Sequence, residues 1–170
     1  MKSLPLICIA GLVAACSATP LPVKDNPIQG FSSVKLGQGL SDARAQLERD
    51  HMYYSYTGRT LDYQAEANGE HWFVSAELIK TRVAGIAVTA RPQMIGMPLV
   101  TIPAAECDRR FERARDALKA EYGSDSADLS PDMITWTIAP RSITLSRHPI
   151  ENGCDSVAIM YQDYSVPDHF

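Results

Sequence analysis

The sequence predicts an α+β domain, with short helices packed on one face of an antiparallel, meandering sheet. Three observations predict it. Two segments carry apolar residues at helical spacing, near Leu40–Leu47 and Cys107–Leu118. Each is followed by runs that alternate apolar and polar residues with period two, the mark of a half-buried strand. Turn dipeptides, Asn68-Gly69 and Asn152-Gly153 among them, separate those runs.

In chain order, Ser41 is a good N-cap and Asp42 suits the positive end of a helix in which Leu40, Ala43 and Leu47 share a side. Tyr53 to Tyr56 begin an extended segment. Leu61 to Ala67 alternates, Asn68-Gly69 turns, and Glu70 to Ile79 alternates again, with Trp72, Val74, Ala76 and Leu78 on one face. Thr81 to Ala90 gives a third strand through Ala84, Ile86 and Val88. The order then restarts. Cys107, Phe111, Ala114 and Leu118 form one helical stripe, with Gly123 as the cap. Ile134, Trp136 and Ile138 mark a strand, Ala139-Pro140 a turn, and Ile143 with Leu145 the next strand. Val157, Ile159 and Tyr161 close the chain. Each half reads helix, strand, strand, strand, so the expectation is two tandem αβββ units, 31–100 and 101–170.

The first thirty residues address location. Lys2 precedes an apolar run, Leu4 to Val13, that is too short to span a bilayer. Val13-Ala14-Ala15-Cys16 then resembles a bacterial lipobox. The resemblance implies that residues 1–15 are a signal peptide cut before Cys16, and that acyl chains (palmitate among them) on Cys16 hold the protein to a membrane. Ser17 after the cysteine favours the outer membrane, facing the periplasm. The competing reading is an ordinary signal cut near Ala18. Pro20, Pro22, Pro27 and Gly30 among polar residues make 16–30 an expected extended tether, ahead of a 31–170 domain.

The chain carries 16 Lys and Arg against 20 Asp and Glu, a formal net charge of −4. Removing residues 1–15 takes away Lys2 and no acid. This charge provides no footprint for nucleic acid. Of the four cysteines, Cys8 leaves with the signal and Cys16 takes lipid. Cys107 and Cys154 then pair in an oxidising compartment. Cys107 lies on the apolar stripe of its helix, so a bond to Cys154 staples that helix to the last strand.

No catalytic constellation is legible, no cofactor is expected, and His51, His71, His148 and His169 are scattered without metal-ligand spacing. Asp62, Glu66 and Glu70 include carboxylate pairs at strand spacing, best read as a solvated strand face. Arg109, Arg110, Arg113 and Arg115, offset by neighbouring acids, read as a solvated helix face. Two segments are candidates for partner binding. Tyr53, Tyr54 and Tyr56 form an interface patch or cover the sheet with alternate rings. Met94 and Met97, within the apolar run Met94 to Val100, form a partner-binding loop or a buried crossing between the units.

Val34-Lys35-Leu36-Gly37-Gln38-Gly39-Leu40-Ser41, Leu47, Trp72-Phe73 and Val83-Ala84-Gly85-Ile86 resemble the BamE-like (SmpA/OmlA) family of small envelope lipoproteins, over about residues 34 to 90. In the second half, Leu118 to Gly123, Trp136 and Ile143 to Leu145 resemble related small lipoproteins. The tandem arrangement is similar to that of the β-lactamase-inhibitor-protein architecture, which grips an enzyme with a concave sheet. The first resemblance implies a non-enzymatic, protein-binding lipoprotein in outer-membrane assembly or maintenance. The resemblance to the β-lactamase-inhibitor architecture implies a periplasmic inhibitor of a hydrolase such as a β-lactamase or lysozyme.

Overall fold

A computed structural model describes residues 25–90, 101–124 and 126–166. A small hairpin, β1 (Gly30–Phe31) with β2 (Val34–Lys35), comes first. Helix α1 (Leu40–Arg49) leads into β3 (Tyr54–Tyr56), β4 (Thr60–Ala67), β5 (Glu70–Ile79) and β6 (Arg82–Thr89). Strand β7 (Ile102–Pro103) precedes helix α2 (Ala104–Tyr122). Then follow β8 (Ser126–Ser130), β9 (Met133–Ile138), β10 (Arg141–Ile150) and β11 (Gly153–Asp163).

The large sheet runs β3-β4-β5-β6-β11-β10-β9-β8, with β7 also paired to β11. Every pairing is antiparallel. Two four-stranded meanders thus meet last strand to last strand, with Ile86 opposite Tyr161 and Val88 opposite Ile159.

This overturns the expected α+β class built from αβββ units. Strand makes up 52% of the described residues and helix 23%, so the molecule is sheet-dominated. Each helix precedes four meander strands rather than three, and the two meanders share one sheet and one core. The helices are not uniformly short either, since α2 has 19 residues. The additional strands, β3 and β8, lie at the two ends of the sheet. Their sequences, Tyr-Ser-Tyr and Ser-Ala-Asp-Leu-Ser, bury almost nothing. An edge strand is held by backbone pairing on one side and needs no apolar alternation.

The Asn68-Gly69 turn has both residues at positive φ, 54° and 73°, as a two-residue hairpin of this hand requires. It sets β4 and β5 in register. Tyr63, Val74, Val88, Ile159, Leu145 and Ile134 then form one transverse row, and Leu61, Ala76, Ile86, Tyr161, Ile143 and Trp136 the next. All twelve are buried. This face is covered by α2, which lies against β10 and β11 through Cys107, Phe111, Ala114 and Leu118, the stripe read from the sequence. Cys107 is bonded to Cys154, with Cα atoms 6.1 Å apart. At Gly153 a Cβ would sit 1.9 Å from the Ile102 carbonyl oxygen, so β7 can pair there only with glycine.

The remaining cover comes from the N-terminal segment. Asn26 and Ile28 have no exposed surface, so the folded body begins inside the expected 16–30 tether. The Asn26 amide donates to the carbonyls of Ile138 (2.5 Å) and Ala139 (3.2 Å). Arg141, fully buried, donates to the Ile28 carbonyl (2.7 Å), the Leu36 carbonyl (3.0 Å) and Asp163 (2.9 Å). The strap is thereby fixed across the last two strands of the chain. The signal segment, Cys16, Met94, Met97 and His169 lie outside the described residues.

Candidate functional site

Strand residues alternate between faces, so the same register that builds the core defines the opposite, open face. Ser55, Asp62, Ser75, Ala87, Met160, Thr144 and Thr135 cross it in one row; Gln64, Phe73, Thr89, Ala158, Ser146 and Met133 form the neighbouring row. Eight strands at the usual spacing make this face about 34 Å wide. Its floor is built of small side chains and hydroxyls, with Thr135 and Thr144 sharing a hydrogen bond of 3.1 Å.

Over the first meander the face dips into an open depression of about 790 Å³, lined by Tyr53, Ser55, Asp62, Gln64, Phe73 and Ser75, among others. Asp62 lies in it with both carboxylate oxygens held. Ser75 Oγ donates to Oδ1 at 2.6 Å and Thr60 Oγ1 to Oδ2 at 3.0 Å. Among the described residues no arginine or lysine is paired with it. The strand positions of this face carry the acids Asp62, Glu66 and Glu77, and also Arg82, past the β5–β6 bulge, whose guanidinium donates to the Gly37 carbonyl at 3.0 Å. Glu66 pairs with His71 (3.2 Å), and Asp155, at the β11 bulge, with His148 (2.8 Å).

The cationic groups gather on the other side. Glu70 shares its face with Trp72 and is buried, and three α2 arginines converge on it. Arg109 and Arg113 each reach Oε1 at 2.9 Å, and Arg110 lies 3.7 Å from Oε2. Glu106 binds Arg109 and Arg110 in turn, at 2.7 and 2.6 Å. Their hydrogen bonds pull its carboxyl down from the ordinary value to about 2. These arginines therefore join the two halves of the molecule instead of forming a solvated helix face. Arg115 pairs with Glu112 and Asp116. Nor do Asp62, Glu66 and Glu70 form a carboxylate set, because Glu70 points away from the other two. Its parity with Trp72 is readable in the sequence, being set by the turn that precedes it.

The three tyrosines are divided by the same alternation. Tyr54 lies opposite Tyr63 and Tyr56 opposite Leu61, both toward the covered side. The Tyr54 hydroxyl donates to Glu48 (2.7 Å) and accepts from Arg44 (3.1 Å), tying β3 to α1. Tyr53 is 97% exposed at the rim of the depression. Phe73, Ser75 and Gln64 are site residues that composition alone does not single out. Strand parity does, once the buried face is known.

No family model, curated protein or solved structure matches the chain. A functional reading therefore rests on the chain's own residues. Among those described, no three His, Cys, Asp or Glu side chains are grouped to hold a metal ion, and no helix is long and apolar enough to cross a membrane.

Proposed function

We propose that the protein is a membrane-anchored, periplasm-facing lipoprotein whose non-enzymatic domain binds another protein across the open face of its sheet, in outer-membrane assembly or maintenance. The anchor is the acylated Cys16 of the lipobox-like Val13-Ala14-Ala15-Cys16, and the bilayer is a partner through those chains. The observation that carries the docking reading is the asymmetry of the sheet. One face is closed by α2, the disulfide and the N-terminal strap. The other is broad, carries exposed Tyr53, Met133 and Met160 and partly exposed Phe73, and is left without a covering element among the described residues. A wide surface of small side chains with a few aromatic and methionine anchors suits a protein partner.

One experiment addresses anchor and docking together: crosslinking of the native protein in membranes, detergent extraction, and mass spectrometry of the adducts and of the amino-terminal peptide. The expected result is a peptide starting at acylated Cys16 and a stoichiometric envelope protein joined to an open-face residue. An unmodified amino terminus elsewhere, with the protein freely diffusing, would overturn the anchored reading.

A second reading has its own support. Two four-stranded meanders joined through their last strands make one continuous sheet face, and the β-lactamase-inhibitor architecture grips its enzyme with a sheet surface. Fold-level likeness does not transfer function. An inhibitor would abolish the activity of a purified periplasmic hydrolase at equimolar ratio, and substitutions in the depression would remove the effect.

A further inference from the structure

We infer that the depression around Asp62 receives a basic side chain, an arginine before a lysine, carried on a protruding loop of the protein partner. This rests on the reading of the open face as a docking surface and specifies the chemistry that fits it.

Asp62 differs from the carboxylates the arginines hold elsewhere in the fold. Glu70, Glu106, Asp108, Asp132 and Asp163 each have an arginine partner. Asp62, among the described residues, has only two hydroxyls, Ser75 on one oxygen and Thr60 on the other. A carboxylate oxygen accepts more than one hydrogen bond. The two hydroxyls therefore fix the plane of the group while each oxygen keeps an acceptor site toward the depression. Two oxygens held in a fixed plane match the paired N–H groups of a guanidinium better than the single point charge of an ammonium.

The walls point the same way. Tyr53 and Phe73 line the same depression, and aromatic faces attract cations, a guanidinium most readily because it also stacks. Across the register Phe73 lies opposite Gln64, one row from the Asp62–Ser75 pair, so a group seated on the carboxylate is within reach of the ring. The surrounding charge is complementary. Strand positions of this face in the first meander carry Glu66 and Glu77 besides Asp62, and Arg82, past the β5–β6 bulge, is engaged with the Gly37 carbonyl. A basic group is thus attracted toward the acids of the first meander, where the depression lies, and an acidic one is repelled from them. The depression is open and continuous with the flat sheet, and at about 790 Å³ exceeds one side chain. It therefore fits a loop presented by a macromolecule, with the basic residue as its anchor.

The test selects peptides from a displayed cyclic-peptide library against the full chain in detergent. Each selected peptide is then compared with a copy whose arginine is replaced by citrulline, a neutral isostere. Two independent readouts are taken: affinity, and adduct formation with a photoreactive residue substituted at Ala87, on the open face. The expected result is that selected peptides carry arginine and crosslink at position 87. The citrulline copy should bind about tenfold more weakly or worse. Asp62→Asn should weaken the arginine peptide by a similar factor and leave the citrulline copy unchanged. Phe73→Leu, which keeps the carboxylate, should weaken the arginine peptide more than the citrulline copy, and retention of the thermal transition reports that each variant is folded. Peptides that crosslink at position 87 yet tolerate both citrulline and Asp62→Asn overturn the basic-anchor inference and leave the docking surface standing. Failure of every selected peptide to crosslink there overturns both.

Discussion

The buried pair Arg141–Asp163 gives the sharpest stability prediction. The two side chains are 2% and 0% exposed. Arg141 spends its donors on Asp163, on the Ile28 carbonyl and on the Leu36 carbonyl. Asp163 also accepts from the backbone amide (2.9 Å) and hydroxyl (2.5 Å) of Ser165. In Asp163→Asn the shape is nearly unchanged, but a guanidinium charge remains in a site without solvent. Breaking a buried pair from one side costs about 3–5 kcal/mol, a large share of the 5–15 kcal/mol that typically holds a domain together. The matched control is Asp108→Asn, whose side chain is 63% exposed and paired with Arg147 on the surface. Such a pair contributes about 0–1 kcal/mol. Urea unfolding of the disulfide-intact chain, followed by the fluorescence of Trp72 and Trp136, measures both. Because Arg141 clamps the strap, hydrogen exchange over residues 26–37 should accelerate in Asp163→Asn before the core opens. If Asp163→Asn costs no more than Asp108→Asn, or the strap exchanges no faster, the buried charge does not organise this end of the sheet.

Replacing both Cys107 and Cys154 by serine frees a closure of 47 residues, which the chain-entropy account values at about 4 kcal/mol; an unchanged urea midpoint would contradict it. Below its ordinary range the Glu106 carboxyl stays ionised in the folded protein, down to about 2, because Arg109 and Arg110 hold the charged form. A depressed carboxylate contributes stability that is complete above the unfolded value, near 4.5, and is lost as pH falls toward 2. Glu106→Gln should therefore flatten the pH dependence of stability in that window alone. Burial pushes the phenols of Tyr63 and Tyr161 upward. They should stay protonated in the folded state as exposed tyrosines ionise near 10, and stability should fall as pH rises above that value. Absorbance titration would contradict this if all tyrosines ionised together without unfolding.

Much of the core could be read from the chain. The stripe Cys107, Phe111, Ala114 and Leu118 is the buried side of α2, and Asn68-Gly69 makes the turn it implies. The Cys107–Cys154 bond is present as well. These features are local or bring together two members of one residue type. What stayed hidden depends on distant partners. Arg141 finds the Ile28 carbonyl 113 residues away, and Asn26 finds the Ile138 carbonyl 112 away, so a proline-containing segment that looks like tether closes the core. Edge strand β8 buries too little to leave an alternating pattern, and β3 shows in the sequence only as the extended start at Tyr53 to Tyr56, so the eight-stranded path could not be assembled. At the candidate site, Asp62 stands out in the sequence as one acid among several. Its distinction lies in neighbours that only register supplies, Ser75 across the hairpin and Phe73 on the diagonal. The tyrosine run looks continuous in sequence, yet alternation sends Tyr54 and Tyr56 toward one side of the sheet and leaves Tyr53 on the rim of the other.

Side-specific photocrosslinking in intact membranes tests the docking account most directly. A photoreactive residue is placed in turn at Ser55, Ala87 and Met160 on the open face, and at Lys119 on α2. One discrete protein adduct is expected from all three open-face positions and none from α2. Adducts from Lys119 alone, or none from any open-face position, would contradict the docking reading.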